Sequence, residues 1–198
     1  MPVTDQHAVA VGVLLDRAPE ELGGWLADAG AFEAAGAAAL WVDPAPEAGL
    51  DPLALLAALA AVTSRALLVA DLPAAGGPPA APARTLATLA RLSHGRLALA
   101  AEPGRLAELA ELAPGCAAFR RLPGTPATFE RLPGDDDAPQ RWAQVPTPES
   151  RAAWRAALAD AAAGGAAGLL VPAGPRLLDI LRHPDDPGGR QDLQLAQG

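Results

Sequence analysis

The sequence predicts an α/β protein of the TIM type, a (β/α) barrel that is incomplete or shortened in its middle. Strand and helix patterns alternate along most of the chain, which indicates parallel strands joined by right-handed crossovers. The stretch from Leu50 to Ala101 is the clearest, because it reads helix, strand, helix, strand. The first strand is followed by LLDRAPEE and not by G-x-G-x-x-G, which disfavours the alternative, an open doubly wound sheet. We expect one domain over residues 1–198, with an irregular surface tail over 183–198.

The elements of the N-terminal half follow from apolar runs and helix-start signals. The run AVAVGVLL (Ala8–Leu15) is typical of a strand covered on both faces. Pro19 and the two acids after it predict the start of a helix that ends at Gly36. Asp51 and Pro52 supply a cap and a first-turn proline for a helix that runs to about Ser64. The remaining predicted elements of this half are strands at Ala39–Val42, Ala66–Leu72 and Arg96–Ala101 and a helix at Ala83–Leu92.

The pattern after residue 101 is less regular. Two short strands around Pro123-Gly124 suggest a hairpin, and Thr147-Pro148-Glu149 has the residue order of a helix start. The predicted elements here are helices at Arg105–Leu112, from residue 147 to about Ala163 and at Arg176–Leu181, and strands at Cys116–Leu122, Ala127–Leu132, Trp142–Val145 and Ala167–Val171.

Charge and cysteine content limit the partners and the compartment. The net charge of -8 and the pI of about 4.8 would repel nucleic acid and anionic membranes. A single cysteine, Cys116, allows no internal disulfide and fits a reducing cytosol. We find no signal-peptide pattern and no apolar run long enough for a membrane span. These features predict a cytoplasmic protein.

The helix Asp51–Ser64 has almost no polar face. Such a helix must be covered on two sides, by the sheet and by a second element. A partner subunit is one candidate for the second cover, so we predict a homodimer formed through this helix.

Three segments between residues 36 and 101 resemble the luciferase-like monooxygenase superfamily of flavin-dependent barrel enzymes. They are GAAALWVDP, DPLALLAALAAVTSRALL and ARTLATLARLSHGRLALA. The resemblance implies a flavin cofactor, FMN or a deazaflavin, and oxidation of a small organic substrate with dioxygen or by hydride transfer. The chain is shorter than members of that family usually are. It also has Asp43-Pro44 where the family commonly has an acid followed by His.

The candidate catalytic residues are acids at the strand ends. In a barrel, chemistry takes place at the carboxyl ends of the strands, and Asp16, Asp43, Asp71 and Glu102 each follow a predicted strand. Carboxylates around one rim can act as acids or bases or bind a divalent cation. The alternative is that each is a turn residue or a helix cap that faces water by itself. We select Asp43, Asp71 and Glu102 as the candidate catalytic set.

The candidate cofactor-binding residues are Trp41, Gly174 and Arg176. Trp41 lies on a predicted strand, where its indole would stack on an isoalloxazine ring or else pack in the core. Gly174 and Arg176 open the last helix, where they would hold a phosphate or else form a solvated turn. No His or Cys pair has metal-ligand spacing. A non-catalytic barrel kept for binding or as a scaffold, and a carboxylate–metal enzyme, are the alternative functions.

Overall fold

Eight strands pair side by side in chain order and close into a barrel. The structure, a computed structural model, describes residues 9–16, 19–43, 49–72, 83–132 and 138–186. The strands are β1 (Ala10–Leu15), β2 (Ala39–Val42), β3 (Leu67–Asp71), β4 (Leu97–Ala101), β5 (Ala117–Leu122), β6 (Thr128–Arg131), β7 (Gln140–Gln144) and β8 (Gly168–Pro172). The helices are α1 (Leu22–Ala34), α2 (Pro52–Val62), α3 (Ala83–Leu92), α4 (Pro103–Leu112), α5 (Arg151–Ala163) and α6 (Pro175–Arg182).

The prediction of a TIM-type (β/α) barrel is wrong, because the barrel is mixed. Strand β6 runs antiparallel to both β5 and β7, whereas all the other neighbouring strands are parallel. The chain turns back from β5 to β6 within residues 123–127, which is too short for a crossover helix. In the part of the chain that the structure describes, helices follow β1–β4, β7 and β8. The hairpin around Pro123-Gly124 is confirmed. It interrupts the regular alternation of strands and helices that a TIM-type barrel requires.

Of three helix starts that local sequence signals predicted, one is confirmed, and the other two helices begin later in the chain than predicted. The Asp51 carboxylate accepts a hydrogen bond from the Ala54 amide at 2.9 Å, and α2 begins at Pro52 as predicted. Helix α1 begins later than Pro19 suggested, because the Glu21 carboxylate caps it. Helix α5 begins at Arg151 and not near residue 147, since its cap is Ser150. In each case, the helix begins directly after the residue whose side chain accepts hydrogen bonds from the first free backbone amides.

The barrel interior is filled by aromatic side chains. Trp41 lies 4.8 Å from Phe119 and 4.7 Å from Phe129 between ring centroids, and Trp142 lies 5.8 Å from Phe119. A Cβ on Gly168 would come within 2.6 Å of the Trp142 indole, so only glycine fits at that position. These side chains and their neighbours form one buried cluster, separate from the larger core between the strands and the helices.

Helix α2 is covered inside this chain. It contacts α1 on one side and α3 on the other, and it packs on β2 and β3. Leu55, Leu56 and Leu59 are fully buried, while Val62 remains exposed. The second cover that the sequence called for is therefore present without a partner subunit, and the homodimer stays a prediction.

A buried ion network fixes the amino-terminal end of the barrel. The Glu33 carboxylate, at the end of α1, accepts hydrogen bonds from the backbone amides of Ser64, Arg65 and Ala66 at 2.7–3.0 Å. The buried Arg96 guanidinium donates to the carbonyl and hydroxyl oxygens of Thr63 and to the Ala66 carbonyl, each at 3.0 Å. These contacts connect three successive strand–helix units at the end of the barrel remote from the acids.

No helix within the described ranges is both long and apolar enough to cross a membrane. Most of the predicted surface tail, residues 187–198, lies outside the described residues.

Candidate functional site

The register of the parallel strands brings the predicted acids to one mouth of the barrel. Extending the pairing by one residue places Asp16 beside Asp43 and Asp43 beside Asp71, and it places Glu102 beside Arg121. The pairings that set this register are Leu15 with Val42, Val42 with Ala70, and Ala101 with Arg120. Because side chains alternate along a strand, these positions share the inward direction of Trp41 and Phe119. The four acids therefore occur at one end of the barrel, as expected.

Asp71 is the buried member of this group. Its side chain is 2% exposed, and it ends β3 with its Oδ2 paired to the Arg121 guanidinium. The other carboxylate oxygen, Oδ1, is buried and has no hydrogen-bond partner in the part of the chain that the structure describes. Arg121 also lies over the Phe129 ring, with its Cζ 5.0 Å from the ring centroid. One oxygen of a buried carboxyl group is thus engaged, and the other is left unsatisfied.

The surroundings of Asp71 raise its pKa to about 7. Burial is the largest cause, because the carboxylate loses its hydration. The charge of Arg121 lowers the pKa, but the charges of Asp43 and Glu102 raise it. At neutral pH both the protonated and the ionised form of Asp71 are therefore populated. A side chain that donates and accepts protons at that pH requires both forms.

The remaining acids of the mouth are more accessible. Asp43 is half-buried, and Asp16 and Glu102 are exposed. Glu102 occupies the cap position of α4 but makes no side-chain cap hydrogen bond, so capping does not account for it. Within the described ranges, no three His, Cys, Asp or Glu side chains are placed to share a metal ion.

The three candidate cofactor residues do not come together. Trp41 is fully buried in the barrel interior, and the rings around it leave no face exposed. Gly174 and the exposed Arg176 lie at the start of α6. Gly174 borders a cavity of about 530 Å³ between α1 and α6, whose wall also includes the acidic residues Asp16, Glu21 and Asp28.

These residues do not fit a bound flavin. An isoalloxazine ring has no open indole face at Trp41 on which to stack. Three acidic residues, Asp16, Glu21 and Asp28, line the same cavity as Gly174, and their negative charges disfavour a phosphate there. The first position of α6 is Pro175, which has no amide hydrogen to offer an anion.

Sequence reasoning missed Arg121. Side chains along β5 (Ala117–Leu122) point alternately into and out of the barrel, and Phe119 points inward. Arg121 is two residues further and therefore points the same way, while Arg120 points outward and pairs with Glu130. The segment AAFRRL has no alternation of apolar and polar residues that would reveal which arginine faces the interior.

A second cavity, of about 440 Å³, lies at the opposite end of the barrel. Its wall includes Cys116, Arg131 and Gln140, and the Arg131 guanidinium donates to Gln140 Oε1 at 3.4 Å. Burial raises the pKa of the Cys116 thiol, which makes it a poorer nucleophile.

The sequence matches no protein-family model, and comparison with curated proteins gives no match.

Proposed function

We propose that the mouth of the barrel binds a small organic substrate and that Asp71 exchanges a proton with it. The observation that carries this proposal is the buried Asp71 carboxyl group, with one oxygen on Arg121 and a pKa raised to about 7. In its ionised form the carboxylate takes a proton from the substrate, and the electron pair of the broken bond stays on the substrate. In its protonated form it returns the proton.

Each neighbour of Asp71 has a defined part in that reaction. Arg121 holds Oδ2 and keeps the ionised form accessible in a buried place. Asp43 and Glu102 counteract Arg121 and keep the pKa from falling to the usual range of a carboxyl group. The pKa near neutrality depends on both influences, so we expect substitution at any of the three to change the pH at which Asp71 titrates.

The direct test measures proton exchange without knowledge of the full reaction. Small carbon acids, such as ketones and amino ketones, are incubated with the protein in deuterated water, and loss of the carbon-bound proton signal is followed by NMR. We expect exchange in at least one compound and its loss in Asp71→Asn. The matched control is Asp160→Asn, since Asp160 is an exposed acid on α5. Exchange that survives in Asp71→Asn, or an Asp71 signal that titrates below about pH 5, would refute the proposal.

Flavin-dependent oxidation of a small organic substrate is the second candidate. The segments between residues 36 and 101 support it, since their amino-acid sequences resemble those of the luciferase-like superfamily. The side chains assigned to the cofactor argue against it, as described above. An absorption spectrum of the isolated protein and a titration with FMN separate the two, since a bound flavin gives visible absorbance and quenched flavin fluorescence. A colourless protein that leaves FMN fluorescence unchanged would remove this candidate.

A binding or scaffold barrel without catalysis is the third candidate. The interior filled by aromatic side chains favours it, because such a core stabilises the fold and requires no ligand. Ligand binding at the mouth with no proton exchange in any compound would support this candidate over the first.

A further inference from the structure

Among the described residues, the charge around Asp71 is negative on balance. The charged groups of these residues that act on it are Arg121 on β5, Asp43 at the end of β2 and Glu102 at the end of β4. Once Asp71 is ionised, its own charge and that of Glu102 already exceed the single charge of Arg121, and Asp43 acts in the same direction as Glu102. A ligand with positive charge would reduce this imbalance, and an anionic ligand would increase it.

The two carboxylate oxygens of Asp71 differ in their hydrogen-bond partners. Oδ2 is paired with Arg121, but Oδ1 is buried and has no partner among the described residues. A buried carboxylate oxygen without a hydrogen bond costs free energy, so a donor that reaches it gains more than it would in water. In the ionised form of Asp71, the partner that Oδ1 lacks among the described residues is therefore a hydrogen-bond donor.

These observations together point to the chemical class of the ligand. We propose that the ligand of the barrel mouth carries a primary or secondary ammonium group that donates a hydrogen bond to Oδ1 of Asp71. This inference rests on the proposed function, since it assigns the substrate class of the same site. Oδ1 is buried in the free protein, so the side chains around it must move to admit the group.

Binding of such a ligand is coupled to a proton. An ammonium group beside Asp71 favours the carboxylate, so the O–H bond of the protonated form breaks on binding and the proton passes to the solvent buffer. The ligand thereby converts Asp71 into the base that the proposed reaction needs. Because the pKa of the free protein is about 7, affinity for the cation falls as the pH decreases through neutrality.

The test uses three probes of equal size and different charge: n-propylamine, n-propanol and propionate. The Asp71 carboxyl carbon is followed by NMR in protein labelled with carbon-13 aspartate, at constant ionic strength, over a range of pH. We expect n-propylamine to lower the pKa of Asp71, and we expect propionate not to lower it. Affinity for n-propylamine should be about thirtyfold lower at about pH 5.5 than at about pH 8, if only the ionised form binds.

The outcomes separate this inference from the proposal on which it rests. If n-propanol binds as well as n-propylamine and shifts the Asp71 signal equally, or if propionate binds best, the ammonium class is wrong although the mouth still binds ligands. If Asp71 does not titrate near neutrality and no probe moves its signal, the proposed function is wrong as well.

Two variants complete the test. Asp71→Asn should abolish the pH dependence of n-propylamine binding, and the measurements on the unmodified protein remain decisive if this variant does not fold. Glu102→Gln should weaken n-propylamine binding about two- to threefold, as expected for one exposed charge. Glu111→Gln is the control, because Glu111 is an exposed acid near the other end of α4, and it should leave the affinity unchanged. Equal losses in the Glu102 and Glu111 variants would contradict a local contact at the mouth.

Discussion

The two ends of the barrel each contain a buried carboxyl group near an arginine, and the structure treats the two groups in opposite ways. Burial alone would raise the pKa of Glu33 at the amino-terminal end, but the amide hydrogen bonds from Ala66, Arg65 and Ser64 and the charge of Arg96 outweigh it, and the pKa is lowered. At the carboxyl-terminal mouth, the pKa of Asp71 is raised.

The difference lies in how many donors each carboxylate receives. The Glu33 carboxylate accepts hydrogen bonds from three backbone amides, which the turn between α2 and β3 holds in position. Asp71 has one charged partner, Arg121, and two like charges near it. Fully satisfied buried charges stabilise an arrangement, whereas incompletely satisfied ones remain able to change their protonation state. The comparison shows that the carboxyl group at the amino-terminal end is held in its ionised form, whereas the one at the mouth can change its protonation state near neutral pH.

The largest expected effect is on the pH dependence of stability. Asp71 has a raised pKa in the folded state, so folding binds a proton, and this stabilisation is complete below the unfolded value of 3.8. It is lost as the pH rises through about 7. The difference corresponds to at most about 4 kcal/mol in the free energy of unfolding.

Urea unfolding at several pH values between about 5 and 8 measures this effect. We expect the unmodified protein to lose stability over that range and Asp71→Asn to lose much less. If both proteins show the same pH profile, the contrast between the two ends does not hold.

A smaller effect is expected at the amino-terminal end. Glu33→Gln keeps the shape but removes the charge that accepts the amides of residues 64–66 and lies near Arg96. We expect a loss of about 2–3 kcal/mol near neutral pH, because charge-assisted hydrogen bonds are lost from a buried place. The loss should shrink as the pH falls below the ordinary value of 4.5, since the lowered pKa of Glu33 contributes stability only above it.

The control for Glu33→Gln is Glu108→Gln, which removes an exposed charge from α4. This variant should change the urea midpoint little. A Glu33→Gln protein that is as stable as this control would show that the amide contacts of Glu33 contribute nothing to the fold.

The smallest expected effect is a change in the pKa of Asp71 at the mouth. Among the described residues, Arg121 carries the charge that lowers the pKa of Asp71. In Arg121→Gln, we expect Asp71 to titrate about one pH unit higher than in the unmodified protein, because a neighbouring positive charge is removed. Carbon-13 NMR of the labelled aspartates measures the change. An Asp71 pKa that falls in this variant would mean that the ion pair does not control the group.

The sequence predicted the strands and the helices well but not how they assemble. The short strands around Pro123-Gly124 were visible, and yet the expected fold was a TIM-type barrel. That expectation failed because the direction of β6 is set by its neighbours and by the length of the connecting turn. The common location of Asp43, Asp71 and Glu102 at one end of the barrel could be predicted, because residues that end neighbouring parallel strands lie at the same end.

Local order was thus determined by the sequence alone: apolar runs, caps such as Asp51, and an acid after each of the first four strands. The tertiary structure decided which of those acids is buried and which arginine meets it. Arg121 lies 50 residues from Asp71 along the chain, and no local pattern connects the two. Desolvation and charge act through space, so the pKa of Asp71 is fixed only when the closed barrel brings together side chains from separate strands.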